Sequence, residues 1–245
     1  MIKFLFAILL LFSPYVYSQQ IPNFTAKSWL VADKDGKIIN GTNTNEQRSI
    51  ASITKLMTVM IVLDAIQNLD EVLTKNLYGK SMTRRELISL ALVKSDNKAT
   101  KILCDNYTTG FNGCVEAMNN KANSLFMKNT RFVEPTGLFN DNVSTAEDLI
   151  KLVIAASKYA IINEDSNRDK ILFKNNNKTT VFGNTNRLVG TGLEFLVGKT
   201  GWITRSGGCI VMMLHTHLGE RIVVLLGSKD TRTRIPEAKL IALSY

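Results

Sequence analysis

The hydrophobic positions of this chain change character along its length. The first group is an unbroken apolar run, Phe4 to Phe12, which follows a single early cation at Lys3 and precedes Pro14 and Val16-Tyr17-Ser18. A charged start, a short apolar stretch and a small terminal residue are the features of a secretory leader. The run is too short for a bilayer, which needs roughly 20 apolar residues in a helix. Removal near Ser18 is expected, with residues 19–245 as the folded domain and the periplasm as its compartment. No later segment is long and apolar enough to span a membrane, since even Leu56 to Leu63 is interrupted by Thr58.

Trp29 to Asp33 and Lys37 to Asn40 flank the turn Lys34-Asp35-Gly36, which predicts a β-hairpin. From Ser52 through Leu63 the residues are apolar on nearly every side of a helix, the pattern of a helix buried centrally in a domain. Thr83-Arg84-Arg85-Glu86 and Ser144-Thr145-Ala146-Glu147 have capping-box form ahead of further apolar runs. Asn163 to Asn186 is rich in Asn, Asp and Lys and predicts a mobile surface excursion. Three strand-like runs follow, Phe195 to Thr200, Cys209 to Thr216 and Arg221 to Gly227, and Pro236 opens a terminal helix. Strands at both ends with helices between predict an α/β fold. One antiparallel β-sheet is formed by both chain ends (26–50 and 190–245), with flanking helices and a mainly helical lobe inserted (51–189).

With 245 residues, 45% of them hydrophobic, the chain can bury a core without metal or oligomerisation. The formal charge of +9 favours anionic partners. The basic residues are scattered rather than interleaved with aromatics, so nucleic acid is not expected, and in an exported protein the partners are wall polymers or membrane surfaces. Of the three cysteines, Cys104 and Cys114 are the better pair if a bridge forms in an oxidising compartment. The alternative is that all three are small buried hydrophobes, a reading that suits Cys209 in particular. His215 and His217 lie two apart on a predicted strand, but no third ligand is spaced for them, so neither metal nor cofactor is expected.

Three short motifs carry candidate chemistry: Ser52-Ile53-Thr54-Lys55, Ser95-Asp96-Asn97 and Lys199-Thr200-Gly201. Serine followed by lysine three residues on also occurs at Ser95 and Lys98, so the spacing alone decides nothing. Ser52 differs in standing at the mouth of the buried helix, which puts Lys55 one turn along on the same face. A serine hydroxyl needs a base, and a lysine serves as one only when its ammonium form is destabilised. Burial does this, and Lys199 as a second cation in the pocket is expected to add to it. Ser95 and Asn97 on a turn could relay protons or bind an amide. Glycine at 201 lets a substrate backbone approach the strand. The backbone amides of Ser52 and Trp202 could then face a developing oxyanion.

In this order the three motifs resemble those of the penicillin-binding and serine β-lactamase superfamily. Arg48 to Thr58, Met118 to Ala122, Asn129 to Leu138, Val143 to Leu149 and Gly198 to Trp202 resemble the low-molecular-mass D-alanyl-D-alanine peptidases in particular. The resemblance implies a β-lactamase/transpeptidase-like fold and a peptidoglycan DD-peptidase that hydrolyses stem peptides through an acyl-enzyme and takes β-lactams as covalent inhibitors. It implies Ser52 as nucleophile, Lys55 as base, Ser95 and Asn97 in proton transfer and substrate binding, and Lys199, Thr200 and Gly201 at the substrate's terminal carboxylate. A further cation, Arg232 or Arg234, is expected there. Only about eighteen residues follow Gly227, which resembles the compact branch of crosslink-cleaving endopeptidases rather than the longer carboxypeptidases. A class A β-lactamase, with Glu134 activating water, and a non-catalytic wall-binding or penicillin-binding module are the rival readings.

Overall fold

The computed structural model describes residues 23–175 and 178–245, so the leader expected at residues 1–18 lies outside the described residues. The chain opens with β1 (Ser28–Asp33), β2 (Ile38–Thr42) and β3 (Arg48–Ser49), and a single 3-10 turn, Ala51–Ile53, leads into α1 (Thr54–Asp64). A hairpin of β4 (Val72–Leu77) and β5 (Lys80–Thr83) precedes α2 (Arg84–Ser89), a π-helical turn (Leu90–Lys94), α3 (Asn97–Asp105) and α4 (Gly110–Ser124). Then come β6 (Val143–Ser144), α5 (Ala146–Ala156), α6 (Ala160–Asn167) and a second hairpin, β7 (Lys170–Asn175) with β8 (Lys178–Gly183). The chain closes with β9 (Phe195–Ile203), β10 (Gly207–Thr216), β11 (Gly219–Ser228) and α7 (Arg234–Ser244).

Both chain ends build one antiparallel five-stranded sheet in the order β2-β1-β11-β10-β9. Period-two alternation sends its side chains to two separate cores. Leu30, Val211, Val224 and Leu226 face the larger core, which holds α1; Trp29, Ile210, Val223 and Leu225 face a smaller one closed by Ala238, Ile241 and Ala242 of α7. Nine of the eleven residues of α1 are buried, so the helix is a rigid mount for whatever stands at its start. Among the described residues β9 is the edge of the sheet, with no strand on its outer side.

The hairpin of β1 and β2 and the three late strands lie where the hydrophobic pattern predicts them. The cap at Thr83 is a full capping box: the Glu86 amide donates to Thr83 Oγ1 at 3.2 Å, and the Thr83 amide donates to Glu86 Oε2 at 2.9 Å. The second cap is displaced by one residue from its prediction. Thr145, not Ser144, caps α5 and accepts from the Asp148 amide at 3.1 Å, because Ser144 is committed to β6 and Glu147 accepts from Thr44.

The stretch from Asn163 to Asn186 corrects the expectation of a surface excursion. It contains most of α6 and the hairpin of β7 and β8; Ile171 and Phe173 point into the larger core while Leu172 points out. Asp165 is fully buried and accepts from Ser89 and Arg85. Alternation inside a polar stretch, rather than its composition, decides its burial. α7 starts at Arg234, two residues before Pro236, which is tolerated in a first turn where its missing amide is not needed. A disulfide joins Cys104 in α3 to Cys114 in α4, and Cys209 is a buried free thiol. His217 lies in the turn after β10 rather than on the strand with His215, so the pair does not share a face.

Candidate active site

The site forms where the 3-10 turn, the loop before α3 and the edge strand β9 meet. Ser52 is not the first residue of α1 but the middle of the turn ahead of it, whose first residue, Ala51, is held left-handed at φ 46°. That conformation is rare for a side-chain-bearing residue and persists only where the surroundings dictate it. Two glycines supply the surroundings. A Cβ at Gly137 would lie 1.9 Å from the Ala51 carbonyl oxygen, and one at Gly201 would lie 2.8 Å from the Ile50 oxygen and 2.9 Å from the Ser52 nitrogen. Backbone thus presses on both sides of the Ser52 turn, and only glycine leaves room.

Lys55 follows one turn later and is fully buried. Its Nζ donates to Ser52 Oγ at 2.8 Å, to Asn97 Oδ1 at 2.7 Å and to the Thr136 carbonyl at 2.6 Å. Burial lowers its pKa to about 7, against the opposing pull of the Glu134 and Asp96 carboxylates. Among the described residues no carboxylate bonds to it directly, and a pKa of about 7 leaves it partly an uncharged amine beside a hydroxyl near neutral pH.

Ser95 ends the π-helical turn in a left-handed conformation, φ 60° and ψ 39°, which turns the chain sharply into the motif. Asp96 then caps α3 by accepting from the Ala99 amide at 2.8 Å, and its other oxygen accepts from the Tyr78 hydroxyl. Asp96 is therefore occupied in holding the loop, while its neighbours Ser95 and Asn97 meet the two lysines. Lys199, nearly fully buried on β9, donates to Ser95 Oγ and to the Thr200 carbonyl, both at 2.8 Å. Burial, then Lys55, then Arg234 push its pKa well below the ordinary lysine range.

Ser52, Lys55, Asn97 and, through Lys199, Ser95 thus share one centre, and Gly201 lies against the Ser52 amide. Trp202 follows on β9, about half exposed. Arg232 is elsewhere in character: its side chain is 92% exposed, 3.6 Å from Asp230. Arg234 is buried and donates through Nη1 to the Gly201 carbonyl at 2.6 Å. The amides of Arg232 and Thr233 are both tied to Asp230 Oδ1, and this tight turn puts one arginine out and the other in.

Two participants, Thr136 and Thr185, had no role in the sequence reading, and Glu134 has a different one. Thr136 contributes a carbonyl to Lys55. Its loop is held by Glu134, whose carboxylate accepts from the amides of Thr136, Gly137 and Leu138, the Thr136 hydroxyl and Asn142 Nδ2. Thr185 accepts from the Thr200 hydroxyl at 2.7 Å. Among the described residues no group of three or more His, Cys, Asp or Glu is placed to hold a metal ion.

A buried amine on a serine, a second amine on another serine and an open strand edge define a serine acyl-transfer site. Residues 16–230 match the sequence model of a family described as D-alanyl-D-alanine carboxypeptidase. The chain is 41% identical over 229 residues to a D-alanyl-D-alanine endopeptidase of Pseudomonas aeruginosa, covering 86% of this chain and 74% of that one. It is 40% identical over 209 residues to one of Escherichia coli, covering 78% and 67%. Penicillin-binding protein D2 of Listeria monocytogenes, solved with cefotaxime bound, superposes with a TM-score of 0.80 at 26% identity over 91% of this chain and 98% of that one. The chain belongs to the D-alanyl-D-alanine carboxypeptidase family of serine peptidases.

Proposed function

We propose that the protein is a periplasmic DD-peptidase that cuts crosslinks between peptidoglycan stems, with Ser52 as nucleophile and Lys55 as its base. The carrying observation is the contact of Lys55 Nζ with Ser52 Oγ at 2.8 Å by an amine whose pKa is lowered to about 7. Lys55 takes the hydroxyl proton as Ser52 Oγ attacks the carbonyl carbon of the D-alanyl bond. The amides of Ser52 and Trp202 receive the oxyanion that forms. Its collapse breaks the C–N bond, and the leaving amine takes a proton through Ser95 from the lysine pair. The ester on Ser52 is then hydrolysed by water, which regenerates the hydroxyl.

Asn97 holds both Lys55 and a substrate amide. Lys199, Thr200 and Arg234 receive the substrate carboxylate, whose charge offsets the repulsion that Lys199 otherwise feels. Gly201 keeps the strand edge open for the substrate backbone. The periplasmic assignment rests on the leader, and the crosslink preference on the relatives named endopeptidase. β-Lactams fit the same centre as covalent inhibitors, in line with the cefotaxime-bound neighbour.

Digestion of purified crosslinked muropeptides tests the reading. Dimers should be converted to monomers by the wild type and left intact by Ser52→Ala. A carboxypeptidase would release D-alanine from pentapeptide stems and leave dimers whole. Glu134 does not favour the lactamase reading: its two oxygens already accept from five donors of its own loop and Asn142.

A further inference from the structure

Beside the outer strand lies a pocket of about 520 Å³ whose walls include Thr185, Arg187, Arg232 and Arg234. Two contacts join it to β9: the Thr200 hydroxyl donates to Thr185 Oγ1 at 2.7 Å, and Arg234 Nη1 donates to the Gly201 carbonyl at 2.6 Å. Three arginines line this pocket, which favours an anion in it. The protein itself offers them little. Arg187 is exposed and makes no hydrogen bond or ion pair among the described residues. Arg232 has one loose contact, 3.6 Å, with Asp230. Arg234 is only 7% exposed, and its Nε is buried without a partner. A buried guanidinium donor left unpaired is unfavourable, and a carboxylate in fork geometry is its natural complement.

One substrate carboxylate, held by Lys199, Thr200 and Arg234, leaves Arg187 uncommitted. If the leaving group were a single D-alanine, it would bring only that carboxylate and leave most of the pocket empty. A leaving group that is a second stem is larger and carries further carboxylates. We infer that this pocket is the subsite for a leaving stem, and that Arg187 is a specificity-determining residue that binds a second carboxylate of that stem. The inference rests on the DD-peptidase reading of Ser52 and names what that site selects.

The test compares wild type with Arg187→Gln and Arg187→Glu on two purified substrates: a crosslinked dimer muropeptide and a single pentapeptide stem. In Arg187→Gln the ratio of kcat/KM for dimer over pentapeptide should fall about tenfold, chiefly through KM, as expected for a lost charge-assisted contact. Arg187→Glu should lower it further by repulsion. An unchanged ratio in both variants overturns the subsite, as does a wild type that cleaves only the pentapeptide. Benzylpenicillin, which brings one carboxylate, separates the two levels of the argument. A wild type that is neither acylated by it nor active on either peptide overturns the reading of the nucleophile itself, and the subsite with it.

Discussion

Lys55 and Lys199 are the same side chain, almost equally buried and each bonded to a serine, yet their surroundings set them to different tasks. Lys55 sits among oxygens, with Glu134 and Asp96 near enough to favour its charge, so burial takes it down only to about 7. Lys199 has Ser95 and one carbonyl, faces Lys55 and Arg234, and lies well below the ordinary range. Two coupled cations do not share their repulsion evenly, because the one that releases its proton first ceases to act on the other. Burial is the first cause of both lowered values, and the two amines, as like charges in one pocket, disfavour each other's protonation. The carboxylates near Lys55 leave it titrating near neutrality, as suits a base, whereas Lys199 needs an incoming anion to hold its proton.

The largest effect should come at Lys55, the proposed base. Lys55→Ala is expected to slow acylation of Ser52 by penicillin by roughly 10²–10⁴-fold, measured by stopped-flow or quenched mass spectrometry. A loss under about tenfold would break the division of labour between the lysines. Lys199→Ala should come next, at roughly 10²-fold in kcat/KM, in the range for loss of one preorganised donor. Its deficit should shrink on a substrate whose terminal carboxylate is amidated, whereas the Lys55 deficit should not.

The pH profile sharpens the contrast. Acylation needs the uncharged amine of Lys55, so its rate should rise with pH, about tenfold per unit, and level off above a limb near pH 7. Lys199→Ala should lower the plateau of the same profile. Glu134→Gln acts on the limb and on the loop together, since its amide N–H would face donors that the carboxylate now accepts from. Because Glu134 raises the pKa of Lys55, its neutralisation should shift the limb to lower pH, read from the same profile.

The sheet and its flanking helices were legible because they rest on local pattern, alternation and an all-apolar helix; the motif positions around Ser52 were legible from the order of three motifs and the resemblance they carry, since serine and lysine one turn apart occur twice. The rest depends on what distant segments do to each other. Nothing near Thr185 in sequence announces its bond to Thr200, fifteen residues away on another element. Arg232 and Arg234 differ by two positions, and only the turn at Asp230 decides which one reaches the strand. The carboxylate of Glu134 resembles a catalytic group in sequence and is spent on loop amides in space. The hairpin of β7 and β8 was hidden because a polar composition outweighed a short alternation.

Mapping of the penicillin adduct tests the central claim most directly. After incubation with benzylpenicillin, intact mass followed by peptide mapping should find one penicilloyl group, on the peptide that carries Ser52, and none in Ser52→Ala. An adduct on Ser95, or one that survives in Ser52→Ala, would contradict it.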